Sequence, residues 1–184
     1  MTALPAENLH YTYEDYLQIE DEHRYEVLKG ELIMVAAPLT IHQKTSINLT
    51  ILITSYVREK KLGEVLYAPT DVVLAKDVVV QPDILFIRKD RTGIIGEKAV
   101  MGAPDLIVEI VSPNSASYDT IEKRDIYEKN GVKEYWLVFP QEKAVEVLTI
   151  EDGIYREFSK GRKAGSVRSK IVEGLTVALG EVFE

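Results

Sequence analysis

The stretch that decides the fold is residues 103–123, which read APDLIVEIVSPNSASYDTIEK. Its apolar run is bounded by Pro104 and Pro113, a pattern typical of a buried β-strand. Glu109 lies in the middle of that run. A carboxylate there must be paired, protonated or bound to a metal ion, because an isolated buried charge is costly. After Pro113 the pattern predicts a helix that carries Lys123, so an acid on a strand precedes a lysine on the next helix.

Composition narrows the chemistry that the chain can support. Its 184 residues, 46% apolar and 28% charged, predict one globular domain over residues 1–184 with a substantial core. The net charge of −8 argues against a surface coated with non-specific nucleic-acid contacts, although it leaves room for a local basic groove. The chain has no cysteine, and its three histidines are scattered without zinc spacing. Any metal ion would therefore be held by oxygen ligands, which indicates Mg²⁺ or Mn²⁺.

The sequence shows no targeting signal. Its first residues lack a positively charged region followed by an apolar core, so we expect no signal peptide. No uninterrupted apolar run approaches the ~20 residues of a membrane span. We therefore expect a cytoplasmic protein.

Hydrophobic periodicity predicts a mixed order of strands and helices. Helices are predicted for a short segment that opens at Thr12, for residues 38–61 and for the segment from the Pro113 break to Asn130. Gly30 and the Asp152-Gly153 pair predict hairpins. Strands are predicted at residues 25–29, 31–35, 64–67, 71–75, 78–81, 84–87, 106–111, 135–139, 143–150 and 154–158.

Asp83 and Glu109 are the strongest candidates for a metal site. Asp83 directly precedes one apolar strand and Glu109 lies within another, so the two carboxylates could converge if the strands are neighbours. Mg²⁺ takes one or two protein carboxylates and keeps several waters. Lys123 would add a positive charge at the attacking water or at the scissile phosphate. A structural salt bridge between Glu109 and Lys123 fits the same residues equally well.

Other polar residues have simpler interpretations on pattern alone. One face of the predicted helix carries three polar residues at intervals of four: Asp119, Lys123 and Tyr127. This spacing commonly indicates an exposed ion pair, which stabilises a helix by ~0.3–0.5 kcal/mol. Glu26, on the first predicted hairpin, is expected to face outward. His42, in the first turn of the long helix, is expected to cap or pack rather than to bind a ligand.

Several stretches resemble the Uma family of restriction endonucleases, a domain-of-unknown-function family in the PD-(D/E)XK nuclease superfamily. No single stretch is specific to the family, but the stretches follow one another in the same order as in the family and extend over nearly the whole chain. The matching pieces are YEVLKGEL (25–32), HQ (42–43), VQPDILF (80–86), GAPDLIVEIVSP (102–113), Asp119, KR (123–124), Tyr127, GVKEYWLV (131–138) and DGIY (152–155).

The resemblance implies a restriction-endonuclease-like fold of the mixed α/β class. In this fold a central mixed β-sheet is flanked by helices, and here it would carry an added N-terminal hairpin and a C-terminal β-hairpin. The family motif falls on Asp83 and Glu109, which would bind the metal ion together with the backbone carbonyl of Ile110.

The resemblance also implies where the remaining groups of the site come from. The superfamily's usual lysine stands two residues after the acid, and Val111 occupies that position here. Lys123, from the following helix, would take over its role. Glu26 would be the additional N-terminal acid, which binds or orients a metal-bound water.

Two functions and one purely structural interpretation follow. The first is a Mg²⁺-dependent endonuclease that hydrolyses DNA, acting as a homodimer by analogy with nucleases that cut two strands. The second is a module that kept the nuclease fold and lost catalysis. It would bind nucleic acid through residues 160–170, which hold five bases and no acid. In the third, Glu109 serves only in an ion pair.

Overall fold

The computed structural model describes residues 10–113 and 115–184. Residues 1–9, where we expect no signal peptide, and Asn114, in the break before the predicted helix, lie outside the described residues. The helices are α1 (Tyr13–Tyr16), α2 (Thr40–Lys60), α3 (Arg124–Lys129) and α4 (Leu179–Phe183), with a 3₁₀ helix at Lys89–Ile94 and a π-helix at Tyr118–Lys123. The strands are β1 (Arg24–Leu28), β2 (Glu31–Val35), β3 (Gly63–Tyr67), β4 (Val72–Ala75), β5 (Val78–Val80), β6 (Ile84–Arg88), β7 (Val100–Met101), β8 (Leu106–Ile110), β9 (Glu134–Phe139), β10 (Ala144–Glu151), β11 (Ile154–Arg162), β12 (Ser166–Arg168) and β13 (Thr176–Ala178).

The central sheet is mixed, as predicted. Its strand order is β11-β10-β9-β8-β6-β3. β8 and β9 are parallel, whereas the other neighbours are antiparallel. The predicted C-terminal hairpin forms one edge of this sheet. It turns at Asp152 and Gly153, whose φ angles of 53° and 82° are those of the two-residue turn that Asp-Gly favours.

The N-terminal hairpin belongs to a second sheet, of order β2-β1-β5-β4-β7. The sequence predicts this hairpin and its turn at Gly30, but not that β4 and β5 join it in a separate sheet. The chain passes from one sheet to the other at Gln81 and Pro82, between β5 and β6. Pro82 has no N–H to continue a ladder of hydrogen bonds, so the strand pairing breaks there. Asp83 therefore stands where the two sheets meet.

Strand β8 is buried on both faces, which explains why it reads as a continuous apolar run. One face packs with the inner side of α2 through Leu106, Val108 and Ile110. The other face carries Ile107 and, beyond the strand, Val111, which pack in the layer that contains α3 and the second sheet. Because side chains alternate along a strand, Glu109 projects into this second layer.

Within the described residues, no helix is both long enough and apolar enough to cross a membrane. The apolar C-terminal segment, residues 175–183, packs onto the body of the protein. It forms β13 and α4, and its Val182 is buried in the layer beneath α2.

Helix α2 offers a matched test of this packing. Ile53 is 0% exposed and Ile51, on the same helix, is 56% exposed. We expect Ile53→Ala to lower the free energy of unfolding by about 2–5 kcal/mol, because it removes buried surface and leaves a cavity. Ile51→Ala should stay within about 0.5 kcal/mol of the wild type. Chemical denaturation measures both, and equal losses would contradict the assigned inner face of α2.

Candidate active site

A buried ammonium group lies at the centre of the candidate site. Nζ of Lys123 is 2.9 Å from Oε1 of Glu26, 3.1 Å from Oε1 of Glu109 and 3.8 Å from Oδ1 of Asp119. All four residues are buried. They come from β1, from β8 and from the π-helix, so the fold brings together charges that lie far apart in the sequence.

Glu109 is held by donors from the following helical segment. The Tyr127 hydroxyl donates a hydrogen bond of 2.6 Å to Oε1 of Glu109, the same oxygen that Lys123 contacts. Burial raises the pKa of Glu109 well above its ordinary value. Lys123 opposes that shift, and the neighbouring carboxylates, Asp119 first, reinforce it. The site therefore resists the accumulation of negative charge unless a cation compensates for it.

Lys123 supplies one such cation. Burial by itself would lower the pKa of the ammonium group, but the carboxylates of Glu109, Glu26 and Asp119 outweigh burial and hold the pKa of Lys123 well above its usual value. Lys123 is therefore charged at neutral pH.

The π-helix turns Asp119 and Lys123 into the protein. A π-helix is wider than an α-helix and often occurs at functional sites. As predicted, Asp119, Lys123 and Tyr127 share one face, but that face contacts the sheets rather than solvent. The expectation of an exposed ion pair is wrong, because charged residues at this spacing look the same in sequence whether their face is solvated or buried against other charges.

Asp83 lies beside Glu109 at the same end of two neighbouring strands. Ile84 of β6 pairs with Val108 of β8, so Asp83 and Glu109 are the next residues in this antiparallel register. Oδ2 of Asp83 accepts a hydrogen bond of 2.8 Å from the backbone N–H of Ile110. The carboxylate is close enough to contribute to the raised pKa of Glu109.

His42 contacts Asp83, a role that sequence reasoning missed. Its Nε2 lies 3.1 Å from Oδ2 of Asp83. No side chain caps α2, so of the two roles expected for His42, capping or packing, the capping role is wrong. Its Nδ1 is buried and has no hydrogen-bond partner among the described residues. A signal was present in the sequence, since His42-Gln43 is one of the pieces that resemble the Uma family.

Glu26 faces inward, so the expectation of an outward orientation is wrong. It is 5% exposed, and its Oε1 accepts a hydrogen bond of 2.7 Å from the backbone N–H of Gln81. Strand β1 lies between β2 and β5, and residues 25–28 are all buried. Alternation cannot identify an outward residue on a strand whose two faces are both covered.

The three acids Glu26, Asp83 and Glu109 share one pattern of hydrogen bonding. In each, a single oxygen takes every contact with a protein donor: Oε1 of Glu26, Oδ2 of Asp83 and Oε1 of Glu109. Within the described parts of the chain, no donor is assigned to the other oxygen. Each acid therefore keeps one oxygen free for a ligand.

These donors fit a hard divalent cation. The N–H of Ile110 points at Asp83, and since the N–H and C=O of one strand residue point to the same edge, its carbonyl faces that side too. Two carboxylates, one carbonyl and several waters are what Mg²⁺ ordinarily takes. As the side chains stand, no three acids or histidines among the residues described enclose a point in ligand geometry.

The basic stretch at residues 160–170 is largely neutralised by acids and packing. The guanidinium of Arg168 lies 5.2 Å from the centre of the Phe158 ring. Three other bases form ion pairs, Lys160 with Glu146, Arg162 with Glu142 and Lys170 with Glu151. A surface of this kind is a weak attractant for phosphate, which counts against the binding-module hypothesis.

The mixed sheet flanked by helices defines the restriction-endonuclease-like fold. The family model described as "Uma2: Putative restriction endonuclease" matches residues 13–180, and the chain belongs to this family. The crystal structure of a "putative nuclease belonging to DUF820" from Anabaena variabilis is similar to it, with a TM-score of 0.77 and 20% sequence identity over 94% of this chain and 97% of the other. That likeness shows a shared fold. The search of curated proteins found no match.

Asp119 gives a test of the site's electrostatics that does not depend on activity. Burial raises its pKa from 3.8 to about 6, against the opposing effect of Lys123. Between these two values the folded protein holds the proton more tightly than the unfolded chain does. Ionisation of Asp119 therefore lowers the free energy of unfolding as the pH rises from about 4 to about 7.

We expect Asp119→Asn, which mimics the protonated acid, to remove this part of the pH dependence. At pH 7.5 the variant should be more stable than the wild type by up to about 3 kcal/mol, and near pH 4 the difference should vanish. Denaturation curves in the presence of a chelator measure both values. A variant less stable than the wild type at pH 7.5 would show that the Lys123 contact outweighs burial.

Proposed function

We propose that the protein is a metal-dependent endonuclease that hydrolyses phosphodiester bonds in DNA. The observation that carries the proposal is the convergence of four residues from separate segments on one site: Glu26, Glu109 and Lys123, which are buried, and Asp83, which is half-buried. Two likenesses support nuclease activity: the family is described as "Putative restriction endonuclease", and the similar protein from Anabaena variabilis is described as a "putative nuclease".

Asp83, Glu109 and the carbonyl of Ile110 would hold the metal ion. These oxygen ligands suit Mg²⁺, and they also suit Mn²⁺, which prefers the same kind of ligand. When bound, such an ion supplies a Lewis acid that stabilises charge on a phosphate and lowers the pKa of water.

Lys123 supplies a fixed positive charge at the reaction. Its ammonium group is held by Glu26 and Glu109, so it is already oriented before substrate arrives, and preorganised charge stabilises a developing negative charge effectively. In the hydrolysis, an oxygen of water bonds to phosphorus while the bond from phosphorus to the leaving sugar oxygen breaks. That oxygen ends with a proton and the phosphate ends as a monoester.

Glu26, Tyr127 and His42 orient the groups that act. Glu26 holds Lys123 and has a free oxygen that can accept a hydrogen bond from the attacking water. Tyr127 fixes one oxygen of Glu109 and His42 fixes one oxygen of Asp83. Outer partners of this kind keep metal-binding carboxylates in their productive orientation.

A homodimer in the cytoplasm completes the proposal. Cleavage of both strands of duplex DNA at one locus needs two active sites, and the described part of the chain carries one such cluster. Two copies would supply the pair.

The test is cleavage of supercoiled and linear DNA in Mg²⁺ or Mn²⁺. We expect Glu109→Gln to reduce the rate by more than about 100-fold, beyond the 10–100-fold typical for the outer partners of a metal ligand. Glu157→Gln is the matched control, because it makes the same change at an exposed residue of β11 and should cleave like the wild type. Cleavage that survives in a clean Glu109→Gln preparation would overturn the assigned mechanism.

Calorimetry with Mg²⁺ alone separates this enzyme from a catalytically inactive nucleic-acid-binding protein. The proposal requires Mg²⁺ binding that Asp83→Asn weakens. An inactive binding module would bind nucleic acid without divalent metal and with an affinity that falls as salt rises.

A further inference from the structure

A cavity of about 500 Å³ opens beside the candidate active site. Its volume falls within the ~300–1,000 Å³ typical of ligand pockets. Gln81 connects the two places, since its backbone N–H donates to Glu26 and its side chain lines the cavity. A group bound in the cavity would therefore lie next to the cluster to which we assign catalysis.

Around Asp71, the donors of Gln81 and of Tyr16, which lies next to the cavity but does not line it, are used within the protein. Oδ1 of Asp71 accepts hydrogen bonds from the Tyr16 hydroxyl at 2.9 Å and from Nε2 of Gln81 at 2.8 Å. Nε2 of Gln81 also donates to the Tyr16 hydroxyl oxygen at 3.2 Å, which uses its second hydrogen. The Thr70 hydroxyl donates to a backbone carbonyl at 2.7 Å.

In the part of the cavity around Asp71 and Thr70, the side-chain groups that remain for a ligand are acceptors. Oδ2 of Asp71 receives no hydrogen bond from the described residues, and Oγ1 of Thr70 keeps acceptor capacity. A carboxylate in this position repels a phosphate and attracts an N–H group. The ligand that fits is therefore a hydrogen-bond donor, and the donor faces Asp71.

The rest of the lining is apolar or lies at the mouth. Leu66, Pro69, Ile95 and Val100 provide walls suited to the face of a flat ring. Glu97 and Lys98 are both exposed at the edge of the cavity, so its mouth carries one charge of each sign. Among the parts of the proposed DNA substrate, a flat ring with an exocyclic N–H group is a nucleobase.

We propose that this cavity is a nucleobase subsite that receives an unstacked base carrying an exocyclic amino group, with Oδ2 of Asp71 accepting a hydrogen bond from that group. Carboxylates read the amino group of cytosine in this way. Enzymes that take a base out of the stack read its edge by hydrogen bonds and hold its face between apolar side chains. The inference rests on the proposed function for its substrate, and it adds a preference that the catalytic cluster does not determine.

The first test changes the ligand and leaves the cavity intact. Single-stranded oligonucleotides of deoxycytidine and of deoxyuridine differ at one edge of the base, where cytosine has an amino group and an acceptor N3 and uracil has a carbonyl and an N3–H. Their binding is measured by fluorescence anisotropy on the full chain with Glu109→Gln, so that no cleavage intervenes. We expect the deoxycytidine strand to bind roughly tenfold more tightly, as for one hydrogen bond to a charged group. Equal affinities, or no binding of either strand, would overturn the subsite.

The second test changes the cavity in the same background. In Asp71→Asn the amide oxygen can keep the hydrogen bonds from Tyr16 and Gln81, which places the NH₂ group where Oδ2 was. The variant should then prefer deoxyuridine, whose carbonyl accepts from that group. Asp90→Asn, an exposed change of equal charge, should keep the preference for deoxycytidine. An unchanged preference in Asp71→Asn, in a variant whose thermal unfolding shows that it is folded, would overturn the role of Asp71.

The two proposals fail separately. A wild-type chain that cleaves DNA through Glu109 but binds deoxycytidine and deoxyuridine strands alike retains the proposed function and loses the subsite. A chain that prefers deoxycytidine and cleaves no DNA retains the subsite and loses the proposed function. If Asp71→Asn does not fold, the comparison of the two strands on the unmodified cavity still decides the inference.

Discussion

The contact of one buried ammonium group with carboxylates from two sheets is the interaction on which the site depends. Lys123 joins Glu26 of the second sheet to Glu109 of the central sheet. Removing several charges from water usually costs more free energy than their mutual attraction contributes. Well-packed apolar residues at the same positions often give a protein equal or greater stability. Stability alone is therefore a poor reason for this cluster. Chemistry that needs a fixed cation beside acids is a better one.

The arrangement around the cluster is consistent with such chemistry. Tyr127, His42 and two backbone N–H groups each engage an oxygen of an acid whose second oxygen is left free. Acids that served only to neutralise Lys123 would have no need of donors from so many elements. Precise positioning of carboxylates is what a metal site requires, because an ion's geometry tolerates little error.

The sequence predicts those parts of the fold that depend on neighbouring residues, and it predicts only part of the candidate site. The turn at Asp152-Gly153, the buried strand around Glu109 and the shared face of Lys123 and Tyr127 all follow from neighbouring residues. The second sheet does not, because β1 pairs with β5 across more than fifty residues of chain, beyond any local pattern. The inward orientation of Glu26 depends on that pairing, and the contact of His42 with Asp83 depends on how α2 packs on the central sheet. Long-range partners of this kind leave no local signal.

Lys123 brings its positive charge to Glu109 from a different position than the spacing of the motif predicts. Residues two apart on a strand project to the same side, so a lysine at position 111 would lie beside Glu109. Val111 instead completes the apolar layer there, buried with Tyr127 and Ile107. Lys123 reaches Glu109 from the helical segment above, and the wide turn of the π-helix lets it do so together with Asp119. The positive charge beside Glu109 therefore comes from the helical segment and not from the strand. In the proposed enzyme, the position of this charge beside Glu109 matters more than the spacing of the lysine along the sequence.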